Sequence, residues 1–302
     1  MPSATGLRVI EVPGRGAEDV LVAGDGAVFT GTEDGVIHRI SADGHRIDAV
    51  ARTGGRPLGI ELFPDGRLLV CDAQRGLLLV DATTGAIEDL VGGMRFCNNA
   101  AVAADGTVYF SDSSAVHPLA EWRAEMAEVT RTGRLLRRRP DGQVDVLLDG
   151  LAFANGVALA ADESFVVVAE TAARTLVRRW PTGRRDLFAA DLPGYPDNIS
   201  RGSDGLIWVA LASPRDPVVE RLQRGPLWLR RRVTRIPSRL QPAPKRTVRV
   251  QAYAADGRLV HDLPADDRAF STRFHMVTGV REHAGRVWLG SLHEPAVAVF
   301  DL

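Results

Sequence analysis

The sequence predicts an all-β fold, a six-bladed β-propeller spanning residues 1–302 as one domain. Two features carry this. A turn followed by an apolar run recurs six times: "GDGAVFTG" at Asp25, "PDGRLLVCD" at Asp65, "ADGTVYFSD" at Asp105, "ADESFVVVAE" at Asp162, "SDGLIWVA" at Asp204 and "HAGRVWLGS" at Ala284. Each is followed by another strand-like piece, such as "GVIHRI" from Gly35, "GLLLVD" from Gly76 and "AVAVF" from Ala296, while helical periodicity is scarce. Six units of about four strands with glycine-rich turns fit propeller blades. A β-sandwich is the rival, but roughly 24 strands are too many for one.

The turn positions lie 40, 40, 57, 42 and 80 residues apart, so insertions are expected at about 113–133 and 214–246. In the first, Leu119, Trp122, Met126 and Val129 recur at steps of three and four, the spacing of a short amphipathic helix. The second holds ten basic and two acidic residues. Its Leu227, Trp228 and Leu229, beside Arg230 to Arg232, suit a lid or a membrane-surface contact through 224–236.

Composition limits the function classes. With 37 basic against 38 acidic residues, the chain has no general polyanion-binding character, and no nucleic-acid partner is expected. Cys71 and Cys97 lie in or beside apolar runs and read as buried free thiols of a reducing compartment. The start "MPSATGLRVIEVPG" lacks the pattern of a signal peptide, and no apolar run approaches the ~20 residues of a spanning helix. A cytoplasmic location is the expectation. No G-x-S-x-G elbow, phosphate loop or paired-cysteine motif occurs.

The stretch "YPDNISRGSDGLIWVA" places Asp197 and Asn198 in a strand, where such residues are depleted. Counting back seven from each turn gives Glu18, Leu58, Asn98, Asn155, Asp197 and Val277. Equivalent positions of successive blades fall on one ring around the channel. Four oxygen-bearing side chains would therefore converge there, and they would repel or stay unsatisfied without a cation between them. Oxygen ligands of mixed charge suit calcium, and the lack of Cys and His argues against zinc or copper. Leu58 and Val277 would form an apolar wall. Asn99 and Asn198, one position later, would add a ligand or orient one.

The segments "LAFANGVALAADESFVVVAETAARTLVRRWPTG", "LPGYPDNISRGSDGLIWVALASP" and "VTGVREHAGRVWLGSL" resemble the strictosidine synthase-like proteins, grouped with gluconolactonase, senescence marker protein and the paraoxonases. The resemblance implies a calcium held by Glu18, Asn98, Asn155, Asp197 and Asn198. It also matches Glu282 to the last-blade glutamate that strictosidine synthase uses in place of a metal set. The function expected is calcium-dependent hydrolysis of a small-molecule lactone or ester, with the ion polarising the carbonyl and Asp197 orienting the attacking water. His117 is a candidate proton shuttle, as are His275, His283 and His293. Two alternatives stand beside this: a metal-independent condensing enzyme using Glu282, and a non-catalytic ligand-binding propeller.

Overall fold

Turn chemistry sets the repeat. The computed structural model describes residues 6–236, 245–265 and 268–302. In five of the six repeat turns an aspartate oxygen accepts the backbone N–H two residues on: Asp25 from Ala27 at 3.0 Å, Asp65 from Arg67 at 3.0 Å, Asp105 from Thr107 at 2.8 Å, Asp162 from Ser164 at 3.1 Å and Asp204 from Leu206 at 2.9 Å. The residue after the aspartate takes the left-handed conformation, as Gly106 does at φ 85°. Glycine does so at least cost. The sixth turn is different. His283 pairs with Arg286, and Ala284 and Gly285 between them both have positive φ, the two-residue type I′ hairpin.

Each turn joins the two inner strands of a four-stranded antiparallel sheet, and six such sheets form the ring, as the sequence predicts. The innermost strands are Leu21–Val22, Pro57–Leu62, Cys97–Val102, Ala154–Leu159, Gly194–Arg201 and Val277–His283. Blades one to five are built from consecutive strands. The sixth takes its outer strand, Arg8–Glu11, from the start of the chain, paired with Ala296–Asp301 from Arg8 against Val299 to Glu11 against Ala296. This closure, which joins the ends of the ring, was not anticipated from the sequence.

A buried apolar cluster fills each of the six clefts between neighbouring blades. Inner strands thus bury both faces and read as continuous apolar runs, without alternation. Cys71 and Cys97 sit together between blades two and three, both free and buried, as expected. Burial and the neighbouring Cys97 push the Cys71 thiol well above its usual range.

The two insertions meet over one end of the ring. The first forms the helix Trp122–Glu128 after a short 3-10 turn, ending where Val129 turns left-handed at φ 50°. The second forms Pro217–Gln223, capped by Asp216, and Leu227–Thr234, and its residues 237–244 lie outside the described residues. Gln223 donates to the Met126 carbonyl at 2.8 Å, and Arg231 reaches the Glu128 carboxylate at 3.3 Å. Together they form a helical cap. Among the described residues no helix is long and apolar enough to cross a membrane.

Candidate metal centre

Asp and Asn tolerate the innermost strands because the ladder breaks where they stand. Register shifts fall between Pro57 and Ile60, Cys97 and Ala100, Ala154 and Val157, Pro196 and Ile199, and Val277 and Val280. A bulge at one height recurs in five blades. Bulged residues leave the ladder and bend the strand, so β propensity matters little there and side chains can be re-aimed toward the channel.

The ring position is thus Glu18, Leu58, Asn98, Asn155, Asp197 and Thr278, and all six line one cavity. Val277 does not belong to it. It packs in the apolar cluster between blades five and six, because the two-residue turn at Ala284 shortens the count from turn to bulge by one residue. Thr278 was therefore missed. Its hydroxyl donates to the Glu18 carbonyl at 2.8 Å.

One residue further on, polar and small residues alternate around the ring: Asp19, Gly59, Asn99, Gly156, Asn198 and Gly279. The glycines are needed for approach. A Cβ on Gly156 would lie 2.2 Å from Ile199 N and 2.6 Å from the Asp197 carbonyl, so only glycine lets blade five come this close. Asn99 is fully employed, donating to Asp19 at 3.3 Å and accepting from Val157 N at 2.8 Å. It orients the layer beneath the ring.

The donors above it are not satisfied. Asn198 Nδ2 donates to both Glu18 oxygens at 3.2 Å, Asn98 Nδ2 donates to Ser113 at 3.0 Å, and the Asn155 side chain is bonded to Asp197. Yet the amide oxygens Asn98 Oδ1, Asn155 Oδ1 and Asn198 Oδ1 are buried without a partner among the described residues. Each orphaned oxygen costs about 1–3 kcal/mol. Burial, followed by the charges of Asp19 and Asp197, holds the Glu18 carboxyl well above its ordinary range. Burial also lifts Asp197 to about 7 and Asp19 to about 6. Three partnerless oxygens and two carboxylates that resist ionisation fit an oxygen-seeking cation. Among the described residues no group of three or more His, Cys, Asp or Glu is arranged for a metal.

Glu18, Asn98 and Asn155 are buried in the floor of the cavity, while Asp197 keeps part of its surface open to it although protein packs densely around. The cavity encloses about 200 Å³ between the ring and the cap. Its walls are mostly apolar, with Phe96, Phe153, Trp122, Met126, Val219 and Leu222 among them. The expected lid thus lies over the channel.

Four sequence candidates fall elsewhere. The Glu282 side chain is buried at the turn end of its strand, where its carboxylate accepts from Ser203 Oγ at 2.9 Å, Asp204 N at 3.2 Å and Gly285 N at 2.8 Å. It clasps the turns of blades five and six together and does not line the cavity. His117 stands behind the first cap helix, with Nδ1 2.9 Å from Glu121 and Nε2 3.4 Å from Glu128, and it too is absent from the cavity wall. The 3.4 Å approach is an ion-pair distance without hydrogen-bond geometry, so Nε2 counts as unpartnered. His275 bonds Glu294 and stacks edgewise on His293, and neither ring lines the cavity.

Comparison with known proteins agrees with the propeller fold. A gluconolactonase from Xanthomonas campestris superimposes with a TM-score of 0.70 at 17% identity, over 98% of this chain and 89% of that one. The likeness is one of fold. The family description Strictosidine synthase matches residues 98–184, and Strictosidine synthase-like, N-terminal matches residues 5–40. Strictosidine synthase-like protein 10 of Arabidopsis thaliana is 35% identical over 82% of this chain and 70% of its own length. Adipocyte plasma membrane-associated protein of Salmo salar is 34% identical over 95% of this chain and 76% of its own length. The chain belongs to the strictosidine synthase-like family.

Two expected outcomes follow from this site. A carboxyl group that holds its proton more tightly when folded favours the folded state at low pH. That contribution is lost as pH climbs from the unfolded value near 4 to the folded value of about 7 at Asp197. Melting temperature in chelator should therefore fall across this window, and calcium should raise it most at the upper end. Scanning calorimetry with calcium and with chelator at each pH checks this; curves that stay superimposed would contradict it. Glu282→Gln should cost about 1–2 kcal/mol of stability through its lost acceptor, with calcium affinity unchanged. A calcium affinity that falls with it would return Glu282 to the site.

Proposed function

We propose that this chain is a calcium-dependent hydrolase of apolar lactones or esters. The observation that carries the reading is the pair of amide oxygens of Asn98 and Asn155, partnerless among the described residues, beside the proton-retaining carboxylates of Glu18 and Asp197 on the floor of an apolar cavity, with Asn198 Oδ1 buried and equally unanswered next to Glu18. Glu18, Asn98, Asn155, Asp197 and Asn198 would hold the ion. Calcium bound there would supply Lewis-acid polarisation of a substrate carbonyl.

The residues of the chain divide the remaining work. Glu18 has both oxygens engaged by Asn198 and is fully buried, so its part is to bring charge. Asp197 is the carboxylate with surface on the cavity, and it is placed to orient a water and accept its proton. Asn155, bonded to Asp197, fixes the direction of that carboxylate. Phe96, Phe153 and Trp122 offer surface to an aryl or acyl group, and the cap excludes bulk water from the attack. A polyhydroxylated ring would find few partners on these walls. Metal-independent condensation loses its acid-base group with Glu282 outside the cavity.

The test is turnover of aryl esters and apolar lactones against calcium concentration in three proteins. Wild type should lose activity in chelator and regain it with calcium. Asp197→Asn should stay about 10² or more below wild type even at saturating calcium, whereas Glu18→Gln should recover much of its rate once calcium is raised. Full recovery of Asp197→Asn would remove its role as base. Tight binding of these compounds without turnover in any condition would make the chain a ligand-binding propeller.

A further inference from the structure

The outer face of the cap is unlike the rest of the surface. Leu227 and Leu229 are exposed on the helix Leu227–Thr234, Ile236 follows, and Trp228 is 68% exposed, the highest of any large hydrophobic residue among those described. Successive 100° steps along this helix place Leu227, Trp228, Arg231 and Arg232 on one side, opposite Arg230 and Val233, which turn toward the first cap helix and the cavity. An apolar tryptophan thus stands among arginines on a face that no other described residue covers.

Charge is concentrated in the same place. Residues 214–236 carry seven arginines against Asp216 and Glu220. Glu220, with Asp191 and Glu128, engages Arg215, Arg224 and Arg231, while Asp216 caps its own helix. Arg221, Arg232 and Arg235 are exposed with no acidic partner among the described residues. Beside them Arg131, Arg174, Arg224 and Arg230 line an open crevice with Glu220 as its one acid. The remainder of the chain, outside 214–246, is net acidic by nine charges, so this basicity is local.

We propose that the cap face of Leu227–Thr234 docks on an anionic lipid surface. Unpaired arginines around an exposed Trp-Leu pair complement that surface twice, by charge toward the headgroups and by apolar rings at the interface. A soluble acidic protein would use the arginines but leave Trp228 unexplained, and a second copy would set unpaired arginines against one another.

The test is sedimentation of the full chain with phosphatidylcholine vesicles, with and without phosphatidylglycerol. Binding is expected with the anionic vesicles only, and it should weaken as salt rises. Trp228→Ala should reduce partitioning by about tenfold or more, and Trp228→Phe should restore most of it. Arg232→Gln and Arg235→Gln should each weaken it by about fivefold. These side chains are exposed, so melting temperatures should match wild type. Absence of binding, or variants that bind as wild type does, would overturn the proposal. So would displacement by inorganic phosphate beyond that by chloride at equal ionic strength, which marks a site for a free anion. Trp228-dependent self-association in gel filtration would assign the face to a second copy and equally overturn it.

Discussion

Four oxygen-bearing side chains, Glu18, Asn98, Asn155 and Asp197, crowded at one height of the ring with Asn198 just beneath, are the constraint on which the rest of this structure depends. A propeller brings strands from all its blades to one axis, so whatever stands at the bulge of each inner strand must share that space. Apolar residues there would simply pack. Here burial favours the protonated forms of Glu18 and Asp197, and the amide oxygens of Asn98, Asn155 and Asn198 are buried with no partner among the described residues. This arrangement is costly to folding unless a charge completes it.

The surrounding structure serves that arrangement. Gly156 permits the approach of blade five, Asn99 and Asp19 brace the layer beneath, and Thr278 ties the backbone of Glu18 to blade six. The strand Arg8–Glu11 closes the circle just before Glu18, so the first ring residue is held by the blade that joins the two ends of the ring. Two insertions far apart in sequence then roof the ring and give the cavity its apolar walls. A polar floor thus lies under a mostly apolar roof.

Much of this was legible in the sequence, for a physical reason. The Asp-Gly turns repeat because each needs the same carboxylate-to-amide bond and the same left-handed residue, so a fixed count from them reaches the same bulge in five blades. That count found Glu18, Asn98, Asn155 and Asp197. It failed in blade six, where Ala284 and Gly285 form a tighter turn that carries no aspartate signal, and Thr278 was displaced by Val277. Glu282 misled because a motif records that a glutamate is present, while its hydrogen bonds to Ser203 and two backbone amides decide what it does. The pairing of Arg8–Glu11 with the last strand was invisible, since neither partner holds a local mark of a contact nearly 290 residues away.

The most direct test is a crystal structure of the wild-type chain grown or soaked with calcium. The account predicts a single cation on the channel axis, bound by oxygens of Glu18, Asn98, Asn155, Asp197 and Asn198, with the three amide oxygens turned toward it. A structure at high calcium in which water fills the ring, the carboxyl groups share protons and the asparagine amides flip to find partners in the chain would contradict it.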